Sequence, residues 1–480
     1  SVTSTAFSAD AIGLVTNSVF AGLSFKSFGT SAIRFGSTAQ RSTCRIERCA
    51  FENCGLESSQ SATVLTYGAV DVSDCRFVGC RTGVVVGWGN DSAVGEASRV
   101  ADSLFEACEA ETVPVVWLSN KASGATVTNC TFRRNRAKKT TALLTLCSSD
   151  RTVRFADCLV ESNTNDVTAA GGSSLPSLVD VAQNAVFERC RFVGNTNTTS
   201  AASGTLAGLF SLRAYRACPL IRDCFFVANA MRATEASSAA VCASVAAAHQ
   251  GNFLFVNCTF KDNAAEAGAS GVAATAVAGT YPFTSLAFVH STLANSVLSG
   301  GTCAELYQLP GTMDNARSSA LSAFNSILWN SGADYRPLAP RAGSPLLVSG
   351  GHLSNARAED FDRTDAASVF RRVSTADPRL TAEVSTSKAG VWAWGVRHDT
   401  PLRRTGEKIW FANGAAWFYD AESEAARPWR SVLDPTARSA SVEGLTTESP
   451  LLPDAFGALR VQPGAGPLAV PRGGLAVIIR

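Results

Sequence analysis

Apolar and polar residues follow a pattern that returns along most of the chain. Six segments show it most clearly, each with a cysteine between a polar residue and a short apolar stretch: Asp74–Phe77, Asn129–Phe132, Asp157–Val160, Arg189–Phe192, Asp223–Phe226 and Asn257–Phe260. With this cysteine as the anchor, further copies are centred on Ser18, Cys49, Ser103 and Ser291. Neighbouring anchors lie 26 to 34 residues apart. This period predicts a solenoid, because such a short unit buries its apolar face only when it stacks on its neighbours.

Two apolar columns accompany the anchor. Three residues before it are Val15, Ile46, Val72, Val100, Val127, Phe155, Phe187, Ile221, Phe255 and Phe288. Two residues after it are Phe20, Phe51, Phe77, Phe105, Phe132, Val160, Phe192, Phe226, Phe260 and Leu293. The anchor and the plus-two residue share one face of a strand, while the polar minus-one residue points the other way. The apolar residue at minus three breaks this alternation and implies a bend between two short strands.

A third column stands five residues after the anchor. It consists of Cys54, Cys80, Cys108, Asn135, Asn163, Asn195, Asn229 and Asn263. Asparagine tolerates the left-handed backbone conformation, so the column predicts a corner in every coil, with side-chain amides that can bond to one another along the stack. A further short apolar segment follows in most copies. Each copy therefore predicts about three short strands and no convincing helix. A β-propeller is the next candidate, but its blades need four strands and longer repeats.

Two sets of motifs resemble known families. Phe132–Asn135, Phe192–Asn195, Phe226–Asn229 and Phe260–Asn263 read FxxN, which resembles one of the two signature motifs of the polymorphic outer-membrane autotransporter family; the companion GGA motif does not occur. Asn325–Asn330, Ala342–Pro345 and Asp377–Leu380 are similar to the closing segments of large bacterial surface β-helix proteins. The resemblance implies an all-β, right-handed parallel β-helix of about ten or more coils over residues 1–340, in a secreted or cell-surface protein.

Residues 341–480 lose the period and shift in composition toward arginine, proline and tryptophan. Trp410 and Trp417 lie in two apolar segments on either side of Asn413-Gly414, a strong signal for a β-hairpin. We predict a small β-rich or capping region here. The tryptophan pair is a candidate glycan contact, and the alternative is the core of a small domain.

Composition narrows the function classes. The 42 basic and 40 acidic residues are balanced, so no overall field attracts nucleic acid or an anionic membrane. Apolar stretches are too short for a transmembrane segment. The 15 cysteines are many for a cytosolic chain, but they form no CxxC pair and only four histidines accompany them, so we predict neither metal nor cofactor. The anchor cysteines form either an unbridged core ladder or a ladder with isolated disulfides: Cys49, Cys75, Cys130, Cys158, Cys190, Cys224 and Cys258.

The minus-one column contains polar groups that could form a catalytic site. It contains Asp74, Asp102, Asn129, Asp157, Arg189, Asp223, Asn257 and His290. Pectate lyases share the predicted architecture and use acidic calcium ligands with a basic proton acceptor, which Asp157, Arg189 and Asp223 could imitate. The alternative is a solvated ladder of mixed charge, since like charges stacked directly on each other are unfavourable. Four glycosylation sequons begin at Asn90, Asn129, Asn197 and Asn257, and the two minus-one members are expected to face outward.

The leading hypothesis is a non-enzymatic extracellular β-helix protein that acts as an adhesin, a surface layer or a filament subunit. Its partners would be further copies of itself or a cell-surface glycan. No catalytic residue is predicted. We expect partner contacts on the face that carries the loops Thr164–Ser177, Thr196–Gly208, Met231–Ala240 and Ala264–Gly271. Two alternatives stay open: a polysaccharide lyase or glycoside hydrolase on the same coils, and a carbohydrate-binding surface protein.

Overall fold

The computed structural model describes a chain made almost entirely of short strands. The described residues are 7–9, 18–29, 31–35, 43–55, 62–81, 84–89, 97–111, 113–120, 124–138, 142–147, 152–167, 177–182, 185–199, 206–213, 219–233, 241–248, 251–280, 284–311, 320–330, 336–344, 346–354, 369–387, 391–397, 399–404, 409–412 and 415–418. Within them, the one helical element is the 3-10 turn Pro401–Arg404.

Three long parallel sheets run the length of the molecule. Sheet 1 consists of Phe7–Ala9, Ile33–Phe35, Val64–Thr66, Val85–Gly89, Val116–Asn120, Leu144–Cys147, Ser177–Ala182, Leu206–Arg213, Val241–Ala248, Val272–Ala278, Thr302–Gln308 and Arg336–Ala339. Sheet 2 consists of Ser18–Ala21, Cys44–Glu47, Val70–Ser73, Ser98–Ala101, Ala125–Thr128, Val153–Ala156, Ala185–Glu188, Leu220–Arg222, Gly251–Val256, Thr284–Val289, Leu321–Phe324, Leu346–Ser349 and Val369–Arg371. Sheet 3 consists of Ser24–Lys26, Ala50–Glu52, Arg76–Val78, Leu104–Glu106, Thr131–Arg133, Leu159–Glu161, Arg191–Val193, Phe225–Val227, Thr259–Lys261, Thr292–Ala294, Ile327–Trp329 and His352–Leu353.

A fourth, shorter sheet accompanies the central coils. Sheet 4 consists of Glu109–Ala110, Arg136–Lys138, Thr164–Val167, Thr196–Thr199, Ala230–Ala233, Ala264–Glu266 and Val297–Ser299. Each coil passes from sheet 2 to sheet 3, then to sheet 4 where it is present, and then to sheet 1. Neighbouring strands in a sheet therefore belong to successive coils, which confirms the predicted parallel β-solenoid.

Sheet 4 corrects the prediction of about three strands in each coil. The segments expected to be loops after the asparagine column begin as strands instead, among them Thr164–Val167 and Thr196–Thr199. The sequence conceals them because they are rich in threonine, asparagine and alanine and lack alternating large apolar residues. Parallel pairing to the coils above and below supplies their hydrogen bonds, so they need little apolar content of their own.

The strand register brings the apolar columns into line. Phe51, Phe77 and Phe105 are direct partners in sheet 3, and the minus-three residues pair in the same way in sheet 2. The first coil is an exception, because Phe20 pairs with Ile46 and therefore occupies the minus-three position. Its anchor position is Leu23, and the placement of that anchor at Ser18 was wrong.

Two left-handed bends turn the backbone at fixed positions. The minus-one residue has a positive φ between sheets 2 and 3, at Arg48, Asp74, Asp102, Asn129, Asp157, Arg189, Asp223, Asn257, His290 and Asn325. The plus-four residue has a positive φ after sheet 3, at Asn53, Gly79, Ala107, Arg134, Ser162, Gly194, Ala228, Asp262 and Asn295. Aspartate and asparagine are frequent at minus one because they tolerate this conformation. The corner asparagines at plus five are not themselves left-handed; the residue before each one makes the turn.

Stacked phenylalanines fill the core beside sheet 3. Phe25, Phe51, Phe77, Phe105 and Phe132 stack with ring centroids 4.6 to 4.9 Å apart and planes within 8°. Such pairs contribute about 0.5–1.5 kcal/mol beyond their buried area. The stack resumes with Phe192, Phe226 and Phe260 at 4.8 and 4.4 Å.

Val160 interrupts this stack, and Phe155 of the same coil fills the space. The Phe155 ring lies 6.3 Å from Phe132 and 6.4 Å from Phe192. We expect Val160→Phe alone to lower the free energy of unfolding by roughly 1–3 kcal/mol, because the core is overpacked. Adding Phe155→Val should restore most of the loss, since other coils combine valine at minus three with phenylalanine at plus two. Urea denaturation of the two single variants and the double variant measures the coupling; additive losses would contradict this packing account.

Sheets 2 and 3 continue past residue 340, where the sequence places the end of the β-helix. Leu346–Ser349, His352–Leu353 and Val369–Arg371 add further strands to sheets 2 and 3. Here the cysteine and phenylalanine columns give way to Ser326, Leu328 and smaller residues, which is why the period fades before the coils end.

Residues 374–404, which we call the strap, then fold back along the outer face of sheet 3. Trp392 packs edge-on against Phe225 at 5.4 Å, and the backbone N–H of Trp394 donates to Thr259 Oγ1 at 3.3 Å. Val396 and Leu402 pack on Ile327. The strap contains the antiparallel pair Ser385–Thr386 and Trp392–Ala393. It covers the side of the solenoid, whereas the sequence analysis considered a cap on its end.

The predicted hairpin follows the strap. Its strands are Ile409–Ala412 and Ala415–Phe418, paired antiparallel across a two-residue connection. Ala415–Phe418 lies beside Gly251–Val256 of sheet 2. The small antiparallel C-terminal region therefore lies against the outer faces of the later coils.

Candidate functional site

The seven anchor cysteines are buried in one column and use their thiols as hydrogen-bonding groups. Each thiol for which the contact is resolved donates to the minus-three carbonyl of the preceding coil, for example Cys130 Sγ to Val100 O at 3.6 Å and Cys190 Sγ to Phe155 O at 3.4 Å. The Cys130 backbone N–H in turn donates to Cys158 Sγ at 3.5 Å. The column therefore satisfies backbone groups that the bend removes from the strand ladder.

Serine performs the same task where it replaces cysteine. The Cys75 N–H donates to Ser103 Oγ at 3.1 Å, and the Cys258 N–H donates to Ser291 Oγ at 3.1 Å. This equivalence explains why the column alternates between these two residue types. The sequence predicts small apolar core residues at the cysteines and does not by itself reveal this role; the serines in the same column were the available signal.

The column contains free thiols, and those of Cys75, Cys158 and Cys224 are protonated. All 13 cysteines whose side chains the structure describes are free. Burial raises the pKa of Cys75 to about 12 and also raises the pKa of Cys158 and Cys224. A protonated thiol can donate its S–H to a carbonyl, as the column requires, and is a poor nucleophile.

The plus-five asparagines form a second buried ladder. Asn163 Oδ1 accepts both the backbone N–H and the Nδ2–H of Asn135 at 2.9 Å, while Asn163 Nδ2 donates to Phe132 O at 2.9 Å. The same bonds recur at Asn195, Asn229 and Asn263. Cys54, Cys80 and Cys108 begin this column, and their thiols donate to Phe25, Phe51 and Phe77 carbonyls at 3.7 Å. Both ladders thus join each coil to the next.

The structure brings Asp157, Arg189 and Asp223 together on successive coils. Arg189 binds Asp157 through two hydrogen bonds of 2.7 Å, and this pairing raises the pKa of Arg189. Asn257 Nδ2 donates to Asp223 Oδ1 at 3.0 Å. Burial raises the pKa of Asp223 to about 6, opposed by the Asn257 hydrogen bond and the nearby arginines. Arg189 is therefore held protonated and unsuited to accept a proton, whereas Asp223 can carry one near neutral pH.

Glu188 extends this charged corner onto sheet 2. Its carboxylate is 3% exposed and lies between Arg154, at 2.6 Å, and Arg222. Three arginines thus face three acids across three coils. Removal of one partner from a buried ion pair strongly destabilises the folded chain, because it leaves an uncompensated charge. These pairs therefore hold the coils in register. Across the described residues, no group of three or more histidine, cysteine, aspartate or glutamate side chains is arranged to hold a metal ion.

The sequons differ in accessibility. Asn129 is exposed and donates to Asp102 at 2.7 Å, whereas Asn257 is nearly buried. Asn197 points into the solenoid and donates to Gly208 O at 2.8 Å, so its amide is inaccessible for modification in the folded chain. Asn90 lies outside the described residues.

Trp410 and Trp417 are direct cross-strand partners in the hairpin, but their side chains are not among those that the structure describes.

The sequence analysis missed a cleft on the outer face of sheet 2. This N-terminal cleft has a volume of about 280 Å³ and is lined by Ser18, Val19, Thr43, Arg45, Ala69 and Asp71, among others. Arg45 Nε lies 3.5 Å from Asp71 Oδ2, and Arg99 lies 3.6 Å from Asp71 Oδ1. The sequence indicates this cleft only through the outward minus-four column. That column can be recognised only when the first coil is placed in its correct register.

Comparison with known proteins supports the architecture. Residues 42–180 match the family model described as right handed beta helix region. A search of curated proteins found no match. None of the helices in the described part of the chain has the length and apolar character needed to cross a membrane.

Proposed function

The chain is a right-handed parallel β-helix repeat protein, and we propose that it serves as a non-enzymatic structural or adhesive protein at the cell surface or outside the cell. The observation that carries this proposal is the use of its polar side chains. The asparagine, cysteine and serine ladders and the Asp157–Arg189 pair all connect one coil to the next. Such use suits a stiff rod that presents its faces to partners.

The free thiols are compatible with an extracellular location. Thiols react as thiolates, and burial raises the pKa of Cys75 and Cys44 to about 12. At these two positions the folded chain therefore presents little reactive thiolate to an oxidising environment. Folding before oxidation would be required, because a disulfide within a column would break the hydrogen bonds that each thiol makes.

Electron microscopy of the full chain tests the structural version. We expect rods that associate laterally or end to end, and fractionation of the producing cells should find the protein at the surface or in the medium. For the adhesive version, dispersed rods should bind intact cells. A cytosolic protein that stays monomeric and binds no cell surface would overturn the proposal.

A lyase or hydrolase is the second candidate, and the state of Asp223 favours it. An acid with a pKa of about 6 can donate a proton near neutral pH. Incubation with acidic polysaccharides, with and without calcium, should leave them intact if the structural proposal holds. Cleavage by the native protein that disappears in Asp223→Asn, with Asp102→Asn as the matched control, would establish the enzyme instead.

A further inference from the structure

The N-terminal cleft differs from the rest of the solenoid in how its charges are arranged. Val19, Arg45, Asp71 and Arg99 form one outward column in register across four strands of sheet 2. Arg45 Nε lies 3.3 Å from Glu47 and 3.5 Å from Asp71. In the charged corner, by contrast, Arg189 and Asp157 close to 2.7 Å. The cleft groups are therefore near each other without the short bidentate bonds that hold the coils together.

The same groups keep hydrogen-bonding capacity. Asp71 Oδ1 is a buried atom with no hydrogen-bond partner among the described residues, and its nearest cation, on Arg99, is 3.6 Å away. A buried acceptor without a partner is costly, so a ligand hydroxyl at this position would be stabilising. The Arg45 side chain is 56% exposed and can turn toward a ligand.

Apolar and hydroxyl groups complete the walls. Val19 is 58% exposed, which is unusual for a large apolar side chain in this molecule, and it lies in the cleft with Ser18 and Ala69. Among the lining residues the positive charge of Arg45 is balanced by the negative charge of Asp71, so the cleft itself does not favour a polyanion. The cleft thus combines a neutral set of donors and acceptors with a small apolar patch.

We propose that the N-terminal cleft binds a neutral saccharide, an inference that rests on the adhesive form of the proposed function and gives it a ligand class. Neighbouring sugar hydroxyls can donate to the Asp71 carboxylate while they accept from the Arg45 guanidinium. The C–H face of the ring would pack on Val19 and Ala69. A polyanion would place further negative charge beside the Asp71 carboxylate, and an apolar ligand would leave Asp71 Oδ1 without a hydrogen-bond donor.

The test measures retention of the full chain on immobilised mannan, dextran and galactan, with heparin and hyaluronate as acidic polymers. We expect retention on at least one neutral polymer, with at least about tenfold weaker binding in Arg45→Ala and in Asp71→Ala, because each removes hydrogen bonds to the ligand. Arg136→Ala is the matched control: Arg136 is 51% exposed and paired with Asp166 on sheet 4, far along the coil from the cleft. It should bind like the native chain, and thermal unfolding should show that all three variants are folded.

Three outcomes would overturn this assignment: no retention on any neutral polymer, retention only on the acidic polymers, or retention that Arg45→Ala and Asp71→Ala leave unchanged. Loss of binding in Trp410→Ala/Trp417→Ala alone would place the glycan on the hairpin. Self-association and surface location are measured separately, so failure at the cleft leaves the structural proposal standing, whereas a cytosolic monomer would remove both.

Discussion

Asn195→Leu is expected to lower the free energy of unfolding by about 3–5 kcal/mol, the largest effect of any single polar substitution considered for this chain. The Asn195 side chain makes four hydrogen bonds: it donates to Val160 O and Asn229 Oδ1, and it accepts two from Asn163. Leucine has a similar size but leaves these buried groups unsatisfied. The loss is measured by urea denaturation at pH 7.

Asn129→Leu is the matched control for this substitution. Asn129 is the minus-one residue at the bend between sheets 2 and 3. It lies on the outside of the solenoid, and its side-chain hydrogen bond to Asp102 is exposed. Its replacement should cost about 1–2 kcal/mol, mainly through the positive φ of this residue. Equal losses in the two variants would show that the internal ladder contributes no more than the surface, contrary to the account given above.

Because of His352, the free energy of unfolding should fall by about 3 kcal/mol as the pH falls from 6.5 to 4. His352 is 1% exposed on sheet 3, it pairs with Ser374 of the strap, and neither ring nitrogen has a hydrogen-bond partner among the described residues. Burial lowers its pKa to about 4, opposed by Asp377. The unfolded histidine titrates near 6.5, so in this window only the unfolded state takes up the proton, and the folded state is progressively disfavoured.

Comparison of the native chain with His352→Leu isolates this contribution. Asp223 acts in the opposite direction, because its raised pKa stabilises the folded state as the pH falls through about 6. The difference in unfolding free energy between pH 7 and pH 4 should therefore be measured in both proteins. Between pH 7 and pH 4 the unfolding free energy of the native chain should fall by about 3 kcal/mol more than that of His352→Leu. Identical pH profiles would mean that the imidazole is solvated.

The sequence predicts the solenoid well because its core columns carry strong residue preferences. Phe77, Phe105 and Phe132 stack, and from Cys49 to Ser326 the anchor position carries small side chains that can donate a hydrogen bond. These requirements repeat in every coil, so they appear as a period. The family match over residues 42–180 falls where that period is most regular.

Other features depend on information that a repeat pattern does not contain. The first coil was misplaced because Phe20 and Phe25 both fit the plus-two position, and only pairing with Ile46 and Phe51 decides between them. Sheet 4 escaped notice because Thr196–Thr199 takes its stability from neighbouring strands. The cleft depends on an outward column, where side chains vary from coil to coil.

The strap was hidden for a different reason. Its tryptophans predict burial but not the surface that buries them, since Trp394 contacts Thr259 across 135 residues of sequence. Two outward residues of sheet 3 beneath the strap, Phe225 and Ile327, are apolar and buried. These two residues were the available indication.

The return of the strap onto earlier coils changes how the solenoid should unfold. In an array where each repeat touches only its neighbours, unravelling can begin at either end. Here Trp392 and Trp394 clamp the coils around Phe225 and Thr259, so those coils should open together or not at all. Fraying under heat or force should therefore start from the amino-terminal coils, and the clamped half should persist as the last folded fragment.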